Sequence, residues 1–428
     1  MVIFRRIHYY LSSGSVLEST ANEFYVGFMY NADQPPTLQL FVSTPEPNPV
    51  NFSVSTQTGF TFNGTATRQS TTTVILPSTL QVQTSTERNK GIYIKAEQNK
   101  RILVYGLNYR QFTSDAFLAL PCDRYAVNQY EYYALTYHGI TAFSYDSTIL
   151  IVACEDNTTI ITPSATVQLN RQQTYLIREF RDLSGSKVTS TKPISFFPGH
   201  ECTYIPTGVT ACDHLTEQVP PTNTWGNSFL GASFLGKSSG AIYRVLTAHN
   251  STNVTVNCTT MTQPSTYALS AAGSWEEFRA LENSFCSIES NNPVLVMEYA
   301  QGFDLDNVGD PFMTMIPPVE QYSNNYVLNV LPEFSTNYLT IYVAPEYFQP
   351  ERIFVDSSSL FTASWSAVYC STGALCGYIT RQSLAAGEHS LYHQDAAARV
   401  GVSAYGFNTH NSYGYPGGLQ LIPVQCKS

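Results

Sequence analysis

Charge is scarce in this chain. Only 13% of its 428 residues are Asp, Glu, Lys or Arg, about half the usual share. No Lys/Arg block occurs. The 22 basic side chains face 32 acidic ones, for a formal net charge of -10. Nucleic acid and anionic membrane surfaces therefore find no attractive field here. No run of eighteen apolar residues exists, so no segment is long enough for a membrane-spanning helix. The HExxH and G-x-G-x-x-G patterns are missing, and no cysteines are spaced as CxxC. What is plentiful is apolar and aromatic: 43% and 13% of residues, with 29 Tyr. Such a chain folds around substantial cores and dresses its surface with Ser, Thr, Asn and Gln.

The nine cysteines are Cys122, Cys154, Cys202, Cys212, Cys258, Cys286, Cys370, Cys376 and Cys426. Cys202 with Cys212 and Cys370 with Cys376 are short-range couples of the kind that close small disulfide loops. The odd number leaves one over, and Cys426 is the candidate for a bond to another chain. Asn-x-Ser/Thr sequons stand at Asn51, Asn63, Asn157, Asn250, Asn253 and Asn257, acceptors for N-glycan in a secreted protein. Asn253 and Asn257 lie in or beside a strand-like run, so not all six need be used. Together these features predict an oxidising, extracellular location. Residues 7–14 are too short and too polar for the apolar part of a signal peptide. The expectation is an N-terminus that is truncated or incomplete.

The period of the apolar residues is two nearly everywhere, and β-rich runs such as Arg101-Ile102-Leu103-Val104-Tyr105 and Thr148-Ile149-Leu150-Ile151-Val152-Ala153 are bounded by Asn, Asp, Gly, Ser and Pro. This predicts an all-β protein. Short helical turns are expected only near residues 275–281 and 396–400. A pattern of strand, turn, buried strand, loop and Asp-to-Pro segment recurs. It runs from Gly91 to Pro121, from Lys187 to Pro221 and from Phe285 to Pro318, with anchors Asp115, Asp213 and Asp310. A fourth, decayed copy ends near Arg399 to Phe407. A repeat of about a hundred residues is the size of one β-sandwich. The predicted architecture is tandem β-sandwich-like modules packed together: a leader at 1–20, then modules at 21–130, 131–230, 231–329 and 330–428. A four-sheet propeller-like ring is the alternative.

Two clusters carry ligand-type side chains. His200-Glu201-Cys202 and Cys212-Asp213-His214 could form a Cys2His2 zinc site, although H-x-C and C-x-H are not its usual spacings. A Cys202–Cys212 disulfide, with both histidines in loops beside it, is the simpler expectation and stabilises by up to about 3 kcal/mol. Asp304-Leu305-Asp306-Asn307-Val308-Gly309-Asp310 is rich in oxygen, as calcium requires. Val308 and Met315 stand where an EF-hand needs ligands, so an Asx-bonded turn is expected. No catalytic residue, metal or cofactor is assigned.

The run Asp182-Leu183-Ser184-Gly185-Ser186-Lys187-Val188 with Pro193-Ile194-Ser195-Phe196-Phe197-Pro198-Gly199-His200 resembles the N-terminal domain of the IgGFc-binding protein family. So do Cys212-Asp213-His214-Leu215-Thr216-Glu217-Gln218-Val219-Pro220-Pro221, Trp225-Gly226, Tyr243-Arg244-Val245-Leu246 and Ser412-Tyr413-Gly414-Tyr415-Pro416-Gly417-Gly418. The resemblance covers residues 20 to 425. It implies a secreted, disulfide-bonded, non-enzymatic module of mucus-type and matrix-type proteins. The expected function is binding or scaffolding of an extracellular protein or glycoprotein, with the Cys202–Cys212 loop and the Tyr-Pro-Gly-Gly segment as first candidate surfaces. Alternatives are a lectin-like module taking mucin-type or other glycans, and, further off, an extracellular hydrolase using paired carboxylates.

Overall fold

Alternating apolar residues become alternately buried ones. Val50–Thr56 shows the regular in-and-out burial of a half-covered strand, whereas Ser147–Ala153, continuously apolar from Ile149 on, is buried on both faces. The computed structural model describes residues 19–32, 35–123, 125, 127–139, 144–209 and 211–423. Residues 1–18, which include most of the expected leader, and Cys426 lie outside the described residues. The protein is all-β. Among the described residues its only helices are single 3-10 turns of three residues.

The strands fall into four units with one topology. In the second unit one sheet runs Tyr130–Tyr133, Lys187–Ser190, Thr158–Ile161, Thr166–Leu169. The other runs Thr174–Glu179, Ser147–Ala153, Ile194–Tyr204, Cys212–Thr216. In chain order these are the first, sixth, third and fourth strands, stacked on the fifth, second, seventh and eighth. The first unit, Glu23 to Leu118, repeats that order and adds a two-stranded parallel pair. The third, Gly226 to Met315, repeats it with the sixth and seventh strands fused into one sixteen-residue strand, Phe285–Ala300. That strand pairs with Thr252–Cys258 at its start and with Ala241–Thr247 at its end. The fourth, Asn325 to Pro416, carries one extra edge strand, Ser366–Tyr369. The first, second and fourth units each comprise two such sheets, and in the third the fused strand joins the two layers into one seven-stranded sheet, so among the described residues no closed ring of four single sheets is found.

Two local expectations change. Trp275–Ala280 is a strand paired with Ala241–Thr247, not a helical turn. The fourth unit does not end at Phe407 but continues into Ser412–Pro416. Many of the tyrosines fill cores: Tyr25, Tyr105, Tyr132, Tyr243, Tyr299, Tyr322, Tyr342, Tyr405, Tyr413 and Tyr415 are all buried.

The units touch in sequence, and the first also meets the fourth. Tyr105 packs tilted against Tyr415, with ring centres 4.3 Å apart, and its hydroxyl donates to the Gly417 carbonyl at 3.2 Å. Units two and three are joined through Arg244. Its guanidinium donates to the Thr136 carbonyl at 2.6 Å, Asp182 at 2.7 Å and Glu277 at 3.0 Å. The same group lies over Tyr137 and Trp275, at 4.1 and 4.3 Å from their ring centres. Burial pushes the Asp182 carboxyl up, but Arg244 and the Ser184 bonds outweigh it and hold it below the usual carboxylate range. Two family-like motifs, Asp182-Leu183-Ser184-Gly185 and Tyr243-Arg244-Val245-Leu246, are thus the two halves of one junction.

Candidate binding face

The eighth strand of each unit is an edge strand, and edge N–H groups buried inside a protein need acceptors. The repeat's Asp anchors supply them across unit boundaries. Asp115 of the first unit accepts from the Thr216 N–H at 3.0 Å and the Met313 N–H at 3.2 Å. Asp213 of the second accepts from the Ser114 N–H. Glu217 accepts from the Met315 N–H at 3.1 Å. In the fourth unit Ser412 occupies this place. Its hydroxyl donates to the Asp310 carbonyl, while its own carbonyl accepts from Ser114 Oγ at 3.0 Å.

These carboxyl groups are out of water, and burial pushes Asp115 and Glu217 well above the usual carboxylate range. Asp213 is raised by burial and by its neighbour Asp310, which burial itself lifts to about 7. Between an unfolded value of about 4 and that native value, the folded state holds the extra proton. Asp310 therefore contributes stability below pH 4 that is lost as pH rises through 7. His200 and His214, pushed down by burial, act oppositely and lose stability as pH falls below about 6.5. Asp310→Asn isolates the first effect. It should stabilise the protein at pH 8 by about 1–4 kcal/mol and change little at about pH 4, near the unfolded value. Equal effects at both pH values in thermal melts would refute it.

The same topology gathers the four turns that precede the eighth strands. In the first unit the turn exposes Phe112, and in the third it exposes Leu305. His410 of the fourth unit lies between them: its ring is 5.6 Å from Phe112 and 4.5 Å from Phe303. Asn411 donates to the Arg110 carbonyl at 2.9 Å, Gly309 to Asn408 at 3.1 Å, and Gly302 to Ile205 at 2.7 Å. The last bond brings in the second unit's turn, closed at its base by the Cys202–Cys212 disulfide with Cα atoms 5.3 Å apart. Turns from all four units thus form one face. It is aromatic at its centre, with Pro206, Thr207 and Asp304 around it.

The residues singled out in the sequence, Cys426 apart, have definite places. His200 and His214 are not in loops but wholly buried on the seventh and eighth strands of the second unit. His200 faces His138 at 3.1 Å and its Nδ1 accepts from the Cys202 N–H at 3.1 Å, beside the bridge as expected, while His214 faces Asn108 at 3.2 Å; the two thiols are bonded to each other. Among the described residues the only trio at metal-ligand spacing is Glu289, Cys370 and Cys376. Its two thiols are bonded to each other. Two further disulfides, Cys122–Cys154 and Cys258–Cys286, were not legible as couples. The oxygen-rich loop already holds a cation. Lys237, fully buried, donates to Asp306 at 3.3 Å, to the Gly309 carbonyl at 3.1 Å and to the Val308 carbonyl. The Ser412–Pro416 segment is buried core, not a surface loop.

Residues 231–240 also match two catalytic patterns, G-x-x-x-x-G-K-S and G-x-S-x-G. Both require a strand that turns into a helix. Here a turn leads from strand Gly226–Ala232 to strand Ala241–Thr247, and Lys237 is spent on Asp306. Phe112, Phe303, Leu305 and His410 carry no motif. Only their common position, in the turn before each eighth strand, could have marked them.

The IgGFc binding protein family matches residues 115–406, about two thirds of the chain. The chain belongs to that family. The human relative, IgGFc-binding protein, is 26% identical over 247 residues. That alignment takes in 54% of this chain and 4% of the relative, so the chain spans a small part of the relative's length. As an IgGFc-binding family member it has its first unit largely outside the matched segment, while the Arg244 junction and two of the four closing turns, those of the second and third units, lie within it. Among solved structures, a glycoside hydrolase family 32 protein from Bifidobacterium adolescentis aligns over 93% of this chain and 96% of its own. The identity is 7% and the TM-score 0.17, too low to carry any argument about fold or activity.

Proposed function

We propose that this chain is a secreted, non-catalytic binding module that presents the four-turn face to a protein or glycoprotein partner in mucus or extracellular matrix. The observation that supports this most is the convergence of turns from four separate units on Phe112, Phe303, Leu305 and His410. Exposed aromatic and aliphatic anchors ringed by polar residues are what protein partners dock on. The buried carboxylates are spent as acceptors for backbone N–H groups, which supports the non-catalytic reading. The four disulfides support the extracellular one. We also propose that the four units correspond to modules at 21–130, 131–230, 231–329 and 330–428. The lectin-like alternative calls for exposed Trp or Tyr platforms beside Asp or Asn; calcium at the Asp304–Asp310 loop is only an addition to it, and Lys237 fills that loop.

The human relative's name makes the Fc part of immunoglobulin G one partner to try, beside purified mucin and a glycan array. Phe112→Ala combined with Leu305→Ala should weaken binding at least tenfold. Ile75→Ala, an exposed position on the first unit's fifth strand, should leave it unchanged. Surface plasmon resonance distinguishes the two. Equal loss in both variants, or none in either, would place the partner elsewhere.

A further inference from the structure

Five of the six sequons share one side of the topology, and Asn257 stands apart. The second strand of each unit starts where the seventh ends: Thr37 pairs with Tyr109, Ser147 with His200 and Ala241 with Ala300. The start of the second strand therefore lies at the end of the sandwich that carries the four-turn face. The turn from second to third strand lies at the other end. Asn51, Asn157, Asn250 and Asn253 sit in that turn or just beside it, on three different units. Asn63 is on the fourth strand, at the edge of its sheet. All five are exposed. Asn257 is one residue from the far end of its strand and half-buried.

N-glycan transfer makes demands on the side-chain nitrogen. Asn Nδ2 attacks the anomeric carbon of a diphosphate-activated oligosaccharide, the bond from that carbon to the phosphate oxygen breaks, and the diphosphate leaves with the electron pair. Nδ2 gives up one of its two protons and keeps the other. Among the described residues the Nδ2 groups of Asn63, Asn157, Asn250 and Asn253 find no hydrogen-bond acceptor. That of Asn51 makes one long bond, 3.4 Å, to Glu97, and its second hydrogen is free. Asn257 differs. Its Nδ2 donates to the Tyr369 carbonyl at 2.8 Å and to the Cys370 carbonyl at 3.4 Å. Those carbonyls belong to the hairpin closed by Cys370–Cys376, which the fourth unit lays across the third. Ser287 Oγ at 3.0 Å from the Tyr369 carbonyl and Ser371 Oγ at 3.4 Å from Glu289 fix the hairpin further. A sugar on Asn257 would occupy the hairpin's place.

We infer that N-glycan is carried on Asn51, Asn63, Asn157, Asn250 and Asn253 and not on Asn257. The sugars then cover the edge and end of the units away from the four-turn face and leave that face bare. This deepens the secreted reading above and rests on it. The test is glycopeptide mapping of the full chain secreted from animal cells, with disulfides assigned in the same digest. Occupied Asn250 and Asn253 beside a bare Asn257, in molecules with Cys370–Cys376 closed, is the expected result. Thr259→Val, which destroys the Asn257 sequon without touching its amide, should leave the glycan mass unchanged. Asn253→Gln should remove one glycan. Glycan on Asn257 in more than a small fraction of molecules, or a mass loss in Thr259→Val, would overturn the inference. Bare asparagines at all six sequons would instead sink the secreted reading itself.

Discussion

Arg244→Ala is expected to lower the stability of the protein by about 3–5 kcal/mol. Arg244 is the one cation at the centre of the junction between the second and third units, and its guanidinium is 6% exposed. Removing it leaves the Asp182 and Glu277 carboxylates facing each other and the Thr136 carbonyl without its 2.6 Å donor. The Tyr137 and Trp275 rings also lose the plate they lie against. Arg244→Lys should recover only a minor part of the loss. A single ammonium cannot hold three acceptors in a fixed plane and cover two rings at once. Denaturation midpoints in urea measure both variants. A loss below about 1 kcal/mol for Ala would mean that the junction is solvent-screened and that the two units hold together by other contacts.

Lys237→Met should be nearly as damaging, for a different reason. The lysine is not joining units across a boundary but filling a loop of the third unit, with Asp306 1% exposed beside it. Methionine replaces its volume and leaves Asp306 buried without a cation, at a cost of about 3–5 kcal/mol. The double variant Lys237→Met with Asp306→Asn removes both charges and should regain most of that. If the single variant melts like the wild type, the ammonium is not what holds the loop. Added calcium should then be tried as its substitute.

Much of the fold was legible because a strand announces itself locally. Runs such as Thr148 to Ala153 are β-branched and bounded by turn formers, and they became strands almost residue for residue. The repeat was legible for a deeper reason. Each closing strand has edge N–H groups that a neighbour must satisfy, so Asp115 and Asp213 recur at the same place in their units. The fourth copy looked decayed because Ser412 does this work with a hydroxyl and a carbonyl, and serine in a Tyr/Gly-rich run draws no notice. Trp275-Glu276-Glu277-Phe278-Arg279-Ala280 contains good helix formers. The pairing of Ala280 with Ala241 and Trp275 with Leu246 overrides that weak local preference. What stayed hidden was long-range. Lys237 reaches a loop 69 residues away. Cys258 meets Cys286 only because their strands pair in one register. The binding face is made of four turns that no single stretch of sequence contains.

The strand Phe285–Ala300 has a mechanical meaning. In the other units the sixth and seventh strands are separate, so their two sheets are tied by turns and by core contacts and can part like the covers of a book. In the third unit one unbroken backbone is hydrogen-bonded into both sheets. That unit is splinted, and its covers cannot open without tearing a ladder. It is also the unit that grips the second through Arg244 and carries the fourth's disulfide hairpin on its surface. A pull applied at either neighbour is therefore received by the stiffest body in the chain, and the softer units yield first.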